Sequence, residues 1–166
     1  MELDNYLITL IETTITSTLL QKRLKNELKY INLDVFTICI ESNNDDIKII
    51  IKDKKYATSN NYIFIFAKDY PFTRPIIKIN SQSYANFLQI SSKKTLQTLK
   101  SLKGYDCLCC NSYVCSKWTP TTKIVDIVKE IREHREIRKN ILYKLLCDKI
   151  SHKYLNNDIQ LEEWIY

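Results

Sequence analysis

Apolar residues recur along this chain in two rhythms, and the points where the rhythm changes divide it. Over residues 3 to 30, Leu3, Leu7, Leu10 and Ile11, then Leu20, Leu24 and Leu28, stand at helical spacing. The β-branched stretch Thr13-Thr14-Ile15-Thr16 weakens that run and predicts a break near it. From Leu33 the period shortens. Val35 to Ile40, Ile47 to Lys52 and Tyr62 to Ala67 are short runs rich in Ile, Val, Phe and Tyr, and Ile76 to Ile79 follows Pro75. Asn43-Asn44-Asp45-Asp46 and Thr58-Ser59-Asn60-Asn61 separate the first three, with Asn and Asp in the turn role that Gly usually fills. The expectation is a meander of four antiparallel strands within residues 33 to 80.

After the strands, Leu96, Leu99 and Leu102 predict a short helix or an ordered loop within residues 88 to 103. Beyond Pro120 the series Ile124, Ile127, Val128, Ile131, then Ile141, Leu142, Leu145 and Leu146 defines a long amphipathic helix. Its middle, Arg132 to Lys139, is strongly charged, and Thr121 or Thr122 is the expected N-cap. Leu155, Ile159, Leu161 and Trp164 give the last residues enough apolar surface to dock a final helix. The pattern reads as an α+β chain: residues 1–16 a helical extension, 17–150 the domain, 151–166 a docked helical tail.

Composition adds limits. With 166 residues, 45% hydrophobic and 27% charged, the chain is long enough to bury one real core. No apolar run reaches membrane-spanning length, because Lys, Asp or Asn interrupts every stretch. Met1-Glu2-Leu3-Asp4 has no basic region before its apolar residues, which argues against a secretory signal and for a reducing, intracellular location. Six cysteines are present, four of them between positions 107 and 115, where crosslinks would close only tiny loops, so reduced thiols are expected. The net charge of +6 is scattered rather than clustered with aromatics, a solvated surface rather than a nucleic-acid site.

Backbone punctuation is scarce: one glycine, Gly104, and three prolines, Pro71, Pro75 and Pro120. Two of the prolines lie in Tyr70-Pro71-Phe72-Thr73-Arg74-Pro75, after an apolar strand-like run. The third closes Trp118-Thr119-Pro120, before the long helix, and Gly104-Tyr105-Asp106-Cys107-Leu108 opens the cysteine cluster. In that order, with Lys22-Arg23-Leu24-Lys25 on the early helix, these motifs resemble the ubiquitin-conjugating enzymes over roughly residues 17 to 131.

The resemblance implies the ubiquitin-conjugating fold and an acyl transfer without cofactor or metal. Ubiquitin or a relative passes from an activating enzyme to a cysteine thioester here and then to a lysine amine, with a ubiquitin ligase as a further partner. Phe72 and Pro120 correspond to the family's ligase-facing loops, and Lys22, Arg23 and Lys25 to its activating-enzyme face. Two departures stand out. The family's His-Pro-Asn turn is absent, and Tyr84-Ala85-Asn86-Phe87 offers a single amide, Asn86, as oxyanion donor. The nucleophile is Cys107 when read forward from Gly104 and Cys110 when read back from Trp118; the glycine-fixed approach favours Cys107. Lys103 and Lys117 flank the cluster as cations that would favour a thiolate.

Two other readings stay open. One keeps the fold as a non-catalytic binding scaffold. The other is a zinc module on Cys107, Cys110 and Cys115, with Cys109, His134 or His152 as fourth ligand, although only one Cys-x-x-Cys pair is present where structural zinc prefers two. On the bland reading Cys39, Cys109, Cys115 and Cys147 are small buried hydrophobes, and both histidines are solvated.

Overall fold

In the computed structural model, which describes residues 4–43, 46–54 and 61–155, helix gives way to sheet just after Leu33. Helix α1 (Asn5–Thr14) is capped by Asp4, whose carboxylate accepts from the Tyr6 N–H at 2.8 Å. It stops at the β-branched run as expected, and α2 (Thr18–Leu28) restarts with the Ser17 hydroxyl accepting from the Leu20 N–H. Leu7 and Ile11 of α1 and Leu20, Leu24 and Leu28 of α2 are buried in one shared core, so the first helix is packed onto the domain.

The sheet has five strands in sequence order, each antiparallel to the next: β1 (Phe36–Asn43), β2 (Asp46–Asp53), β3 (Asn61–Phe66), β4 (Ile76–Ile79) and β5 (Gln82–Ser83). Strict alternation sets the register. Ile40, Ile49, Phe64 and Ile77 form one cross-strand row on the buried face, and Ile38, Ile51, Tyr62 and Ile79 form the next. The meander is therefore one strand longer than expected. β5 pairs through the two-residue turn Asn80-Ser81, whose φ values of 49° and 72° are both left-handed, the requirement of a tight hairpin matching strand twist. Asn80 also ties that turn back to β3, its Oδ1 accepting from the Asn61 N–H at 2.8 Å. Most of the two Asn-rich turns before β2 and β3 lies outside the described residues.

Helix α3 (Tyr84–Leu88) follows the sheet, and the Leu96, Leu99 and Leu102 segment is a true helix, α4 (Lys93–Lys103), capped by Ser92. The last helix, α5 (Ile124–Leu155), runs 32 residues without a break. It starts later than Thr121 or Thr122 because Asp126 supplies the cap, accepting from the Lys123 N–H at 3.1 Å. The Thr122 hydroxyl instead accepts from the Thr119 N–H at 3.3 Å, closing the turn before the helix. Residues 151–155 continue α5 rather than opening a separate helix, and Ile159, Leu161 and Trp164 lie outside the described residues. No helix among the described residues is long and apolar enough to cross a membrane.

Several side chains sit elsewhere than the bland reading placed them. All six cysteines are free thiols, but Cys115 and Cys147 are exposed rather than core residues, and Cys39 is half-buried on the outer sheet face. His134 is buried on α5, not solvated, because it lies on the face that meets α3; His152 is exposed.

Candidate active site

The thiols stand where α4 ends. Gly104 terminates that helix with φ +73°, its N–H donating to the Lys100 carbonyl at 2.8 Å. A Cβ there would meet no atom within 4 Å, so the glycine serves the left-handed backbone angle and not a close approach. Four residues later the chain dives inward at Leu108, which is fully buried, with Cys107 and Cys109 half-exposed on either side. A short 3-10 turn (Cys109–Asn111) then folds Cys110 back toward Cys107. The Sγ atoms of Cys107, Cys109 and Cys110 all lie within 4.8 Å of one another.

Cys107 is the acceptor at the centre of this trio. The Cys110 N–H donates to its sulfur at 3.2 Å and the Cys109 thiol at 3.3 Å. Hydrogen bonding from the Cys110 thiol, then from Cys109 and the adjacent backbone N–H groups, holds the Cys107 thiol below the ordinary range against the opposing effect of burial. The same contacts act in reverse on the donors. Cys109 is raised, led by its bond to Cys107, and Cys110 is pushed up to about 11 for the same reason. The proton therefore leaves Cys107 first, and hydrogen bonds rather than a lysine field lead the effect. Lys103 and Lys117 are both exposed.

Two buried glutamates tie the surrounding elements together, and one of them, Glu130, holds the segment that follows the clustered thiols. Glu130 of α5 accepts from the Ser112 hydroxyl at 2.7 Å, the Tyr113 N–H at 2.7 Å and the Tyr84 hydroxyl at 2.8 Å. Tyr84 also meets His134 Nδ1 at 2.7 Å. Burial, reinforced by Glu130, pushes the Tyr84 hydroxyl up, so it remains a neutral donor; burial also lowers His134. On the other flank, Glu27 of α2 accepts from the Tyr70 hydroxyl at 2.6 Å, from the Ile124 N–H at 3.0 Å and from Arg23. Helix α2, the Tyr70-Pro71 loop and the start of α5 thus meet on one carboxylate.

The remaining motif residues fall around this frame. Trp118 Nε1 donates to the Pro71 carbonyl at 3.2 Å, which brings the Trp118-Thr119-Pro120 turn beside the Pro71-Phe72 loop. Phe72 is 80% exposed there, and Pro120 is exposed. Of the basic residues on α2, Lys22 is exposed, Lys25 pairs with Glu12, and Arg23 donates to the Pro120 carbonyl at 2.7 Å as well as to Glu27. Arg23 is thereby spent inside the fold, tying α2 to the Pro120 turn. Asn86 is exposed on the short helix α3, whose Tyr84 reaches Glu130. Cys115 stands outside the sulfur trio, and His134 is occupied by Tyr84.

Sequence reasoning gives Glu27 and Glu130 no role, Tyr70 and Tyr84 only a place inside longer motifs, and His134 only a place as a candidate zinc ligand. For Glu130 and His134 a signal existed: both fall on the stripe of Ile127, Ile131, Ile137 and Ile141, and a polar residue on an apolar stripe demands a buried partner. Beside the loop an open cleft of about 340 Å³ lies between Tyr105, Tyr113 and Lys117 on one wall and Asp126, Glu133 and His134 of α5 on the other.

No family model matches this chain, and no curated protein or solved structure does.

Proposed function

We propose that the chain carries ubiquitin or a ubiquitin-like protein as a thioester on Cys107 and passes it to a lysine amine. The observation that carries this reading is the Cys107 sulfur itself. It is partly exposed at the end of a glycine-set turn and accepts hydrogen bonds from Cys110 and Cys109, so it is the most acidic thiol of the trio. In the first step the Cys107 thiolate attacks the carbonyl carbon of the activating enzyme's thioester. A new C–S bond forms and the enzyme's thiolate leaves. In the second, an amine nitrogen attacks the new thioester, the Cys107 thiolate departs, and the nitrogen gives up a proton to solvent. The α+β frame, the Trp118 to Pro71 tie and the exposed Phe72 are in keeping with the family whose motifs the sequence resembles.

The test is loading. Incubated with activating enzyme, ATP and ubiquitin, the chain is expected to form an adduct that added thiol removes. Cys107→Ser turns it into a reductant-resistant oxyester or abolishes it, while Cys115→Ser leaves it unchanged. If Cys110→Ser behaves in that way instead, the nucleophile is Cys110.

The scaffold reading has its own support. Asn86 sits exposed on α3, and the Phe72 surface persists whether or not a thiol turns over. Absence of any adduct with ubiquitin or related modifiers, alongside retained ligase binding through Phe72, would favour it.

A further inference from the structure

Three cysteines within four consecutive residues converge only where the backbone turns their sulfurs to one side. Here the 3-10 turn at Cys109–Asn111 does so, and the Cys107, Cys109 and Cys110 sulfurs all fall within 4.8 Å of one another. A tetrahedral ion with metal–sulfur bonds of about 2.3 Å holds its sulfurs about 3.8 Å apart. The Cys107 to Cys109 separation of 3.3 Å needs to open only slightly, and the longer spacings need to close by an ångström or less. Donor chemistry narrows the ligand. Three thiolates select a soft cation and offer nothing to magnesium or calcium.

We propose that Cys107, Cys109 and Cys110 form an exchangeable three-thiolate site for one thiophilic cation, zinc above all, and that its occupancy withholds Cys107 from acyl transfer. The second half of that statement rests on the ubiquitin-transfer reading; the first does not. On binding, three S–H bonds give way to three metal–sulfur bonds, and the protons pass to solvent. The fourth position belongs to water. Among the described residues Cys115 lies outside the cluster and His134 Nδ1 is engaged by the Tyr84 hydroxyl at 2.7 Å, whereas Cys110 faces solvent. The site differs in kind from the structural zinc module that the Cys-x-x-Cys spacing argued against. Leu108, Ser112 and Glu130 fix the loop through packing and hydrogen bonds of their own, so the fold does not wait for metal. A Cys107 sulfur bonded to the cation shares with it the lone pair that attack on a thioester requires, which makes the metal a competitor of the modifier.

The experiment uses the fully reduced full-length chain, its free thiols counted beforehand. Titrated with cadmium as spectroscopic probe, it should take up one equivalent with a charge-transfer band of three-thiolate intensity, and zinc should displace it. Removing a direct ligand should cost more than the 10- to 100-fold typical of losing an outer partner, so Cys109→Ser and Cys110→Ser should each weaken binding by more than about 100-fold. Because Cys110 is exposed, its serine variant keeps the fold, and Cys115→Ser and Cys147→Ser should bind as the parent does. One equivalent of zinc should slow ubiquitin loading at least tenfold, with recovery on chelation. The site is overturned by absent binding, by a two-thiolate band, or by affinity indifferent to Cys110→Ser. Equal loading with and without zinc overturns the competition and leaves ubiquitin transfer standing. Three-thiolate cadmium binding in a chain that never loads a modifier, even with chelator present, removes the transfer reading and the competition with it and leaves the metal site.

Discussion

At the scale of single residues, Gly104 and His134 each carry a consequence that a measurement can reach. Gly104 is in the left-handed region with open space around it, so Gly104→Ala brings backbone strain without a clash. We expect a loss of about 1 kcal/mol, the scale of forcing an L side chain into that region, and a smaller loss for Gly104→Asn. Denaturant midpoints check this; a Gly104→Ala chain as stable as the parent would mean the turn relaxes. His134 is held below its ordinary pKa, first by burial and also by Arg138, against the opposing pull of Glu130 and Glu133. With the folded-state value depressed, the unfolded chain binds the proton first. Stability is therefore unaffected well above the unfolded pKa of about 6.5 and falls as pH drops below it, by at most about 1.4 kcal/mol per pH unit. Between about pH 6.5 and 5.5, before carboxylates titrate, the parent should lose stability more steeply than His134→Gln. Parallel slopes would show that His134 protonates freely in the fold.

At the scale of elements, α5 is the beam on which the rest hangs. Its charged middle reads as a solvated face, yet Arg132, Arg135 and Arg138 lie over the rings of Phe36, Tyr62 and Phe87 at 5.6, 5.2 and 4.5 Å. Arg132 and Arg135 thereby lie over rings of the sheet, whereas Arg138 turns to the end of α3, its guanidinium donating to the Phe87 carbonyl and to the Gln89 carbonyl at 2.8 Å. Glu130, on the buried stripe of the same helix, accepts from Ser112, Tyr113 and Tyr84 together. Glu130→Gln keeps the volume but turns one oxygen into a donor facing donors. It should cost about 1–3 kcal/mol and speed amide hydrogen exchange in the loop following the cysteines. Unchanged exchange there would mean that Leu108 packing alone fixes the loop.

For the whole molecule, the packed rings and the exposed one on the Pro71 side occupy separate ground. Phe72 is 80% exposed while the rings below it, Tyr70, Phe66 and Trp118, pack on one another. Phe72→Ala should leave unfolding free energy within about 0.5 kcal/mol of the parent, as for surface positions generally, while reducing ligase-dependent discharge and sparing thioester loading. A marked drop in stability would make Phe72 part of the packing and remove it from the proposed partner surface. Arg23 is the counterexample on the same side of the molecule. It is a basic residue of the helix face that the resemblance assigns to partners, but its guanidinium is engaged by Glu27 and the Pro120 carbonyl, so its loss would act on the fold first.

The sequence by itself determined the order of elements, since period is a local property: seven apolar positions at helical spacing before Leu33, alternation through Phe66, and helical spacing again after Pro120 are written in consecutive residues. It left residues 88 to 103 between a short helix and an ordered loop, and the structure shows the helix, ended where Gly104 takes the left-handed backbone angle. The fifth strand was not legible, because Asn80-Ser81 turns as tightly as an Asn-Gly pair but only its pairing with β4 reveals that. The two glutamate hubs joined residues 27 with 70 and 124, and 130 with 84 and 112, distances along the chain that no periodicity spans. The tertiary structure alone decided that three of the four clustered cysteines converge and that Cys115 does not, because a sulfur's neighbours depend on how a turn is pulled down by Leu108 and Glu130, not on how many residues separate it from the next thiol.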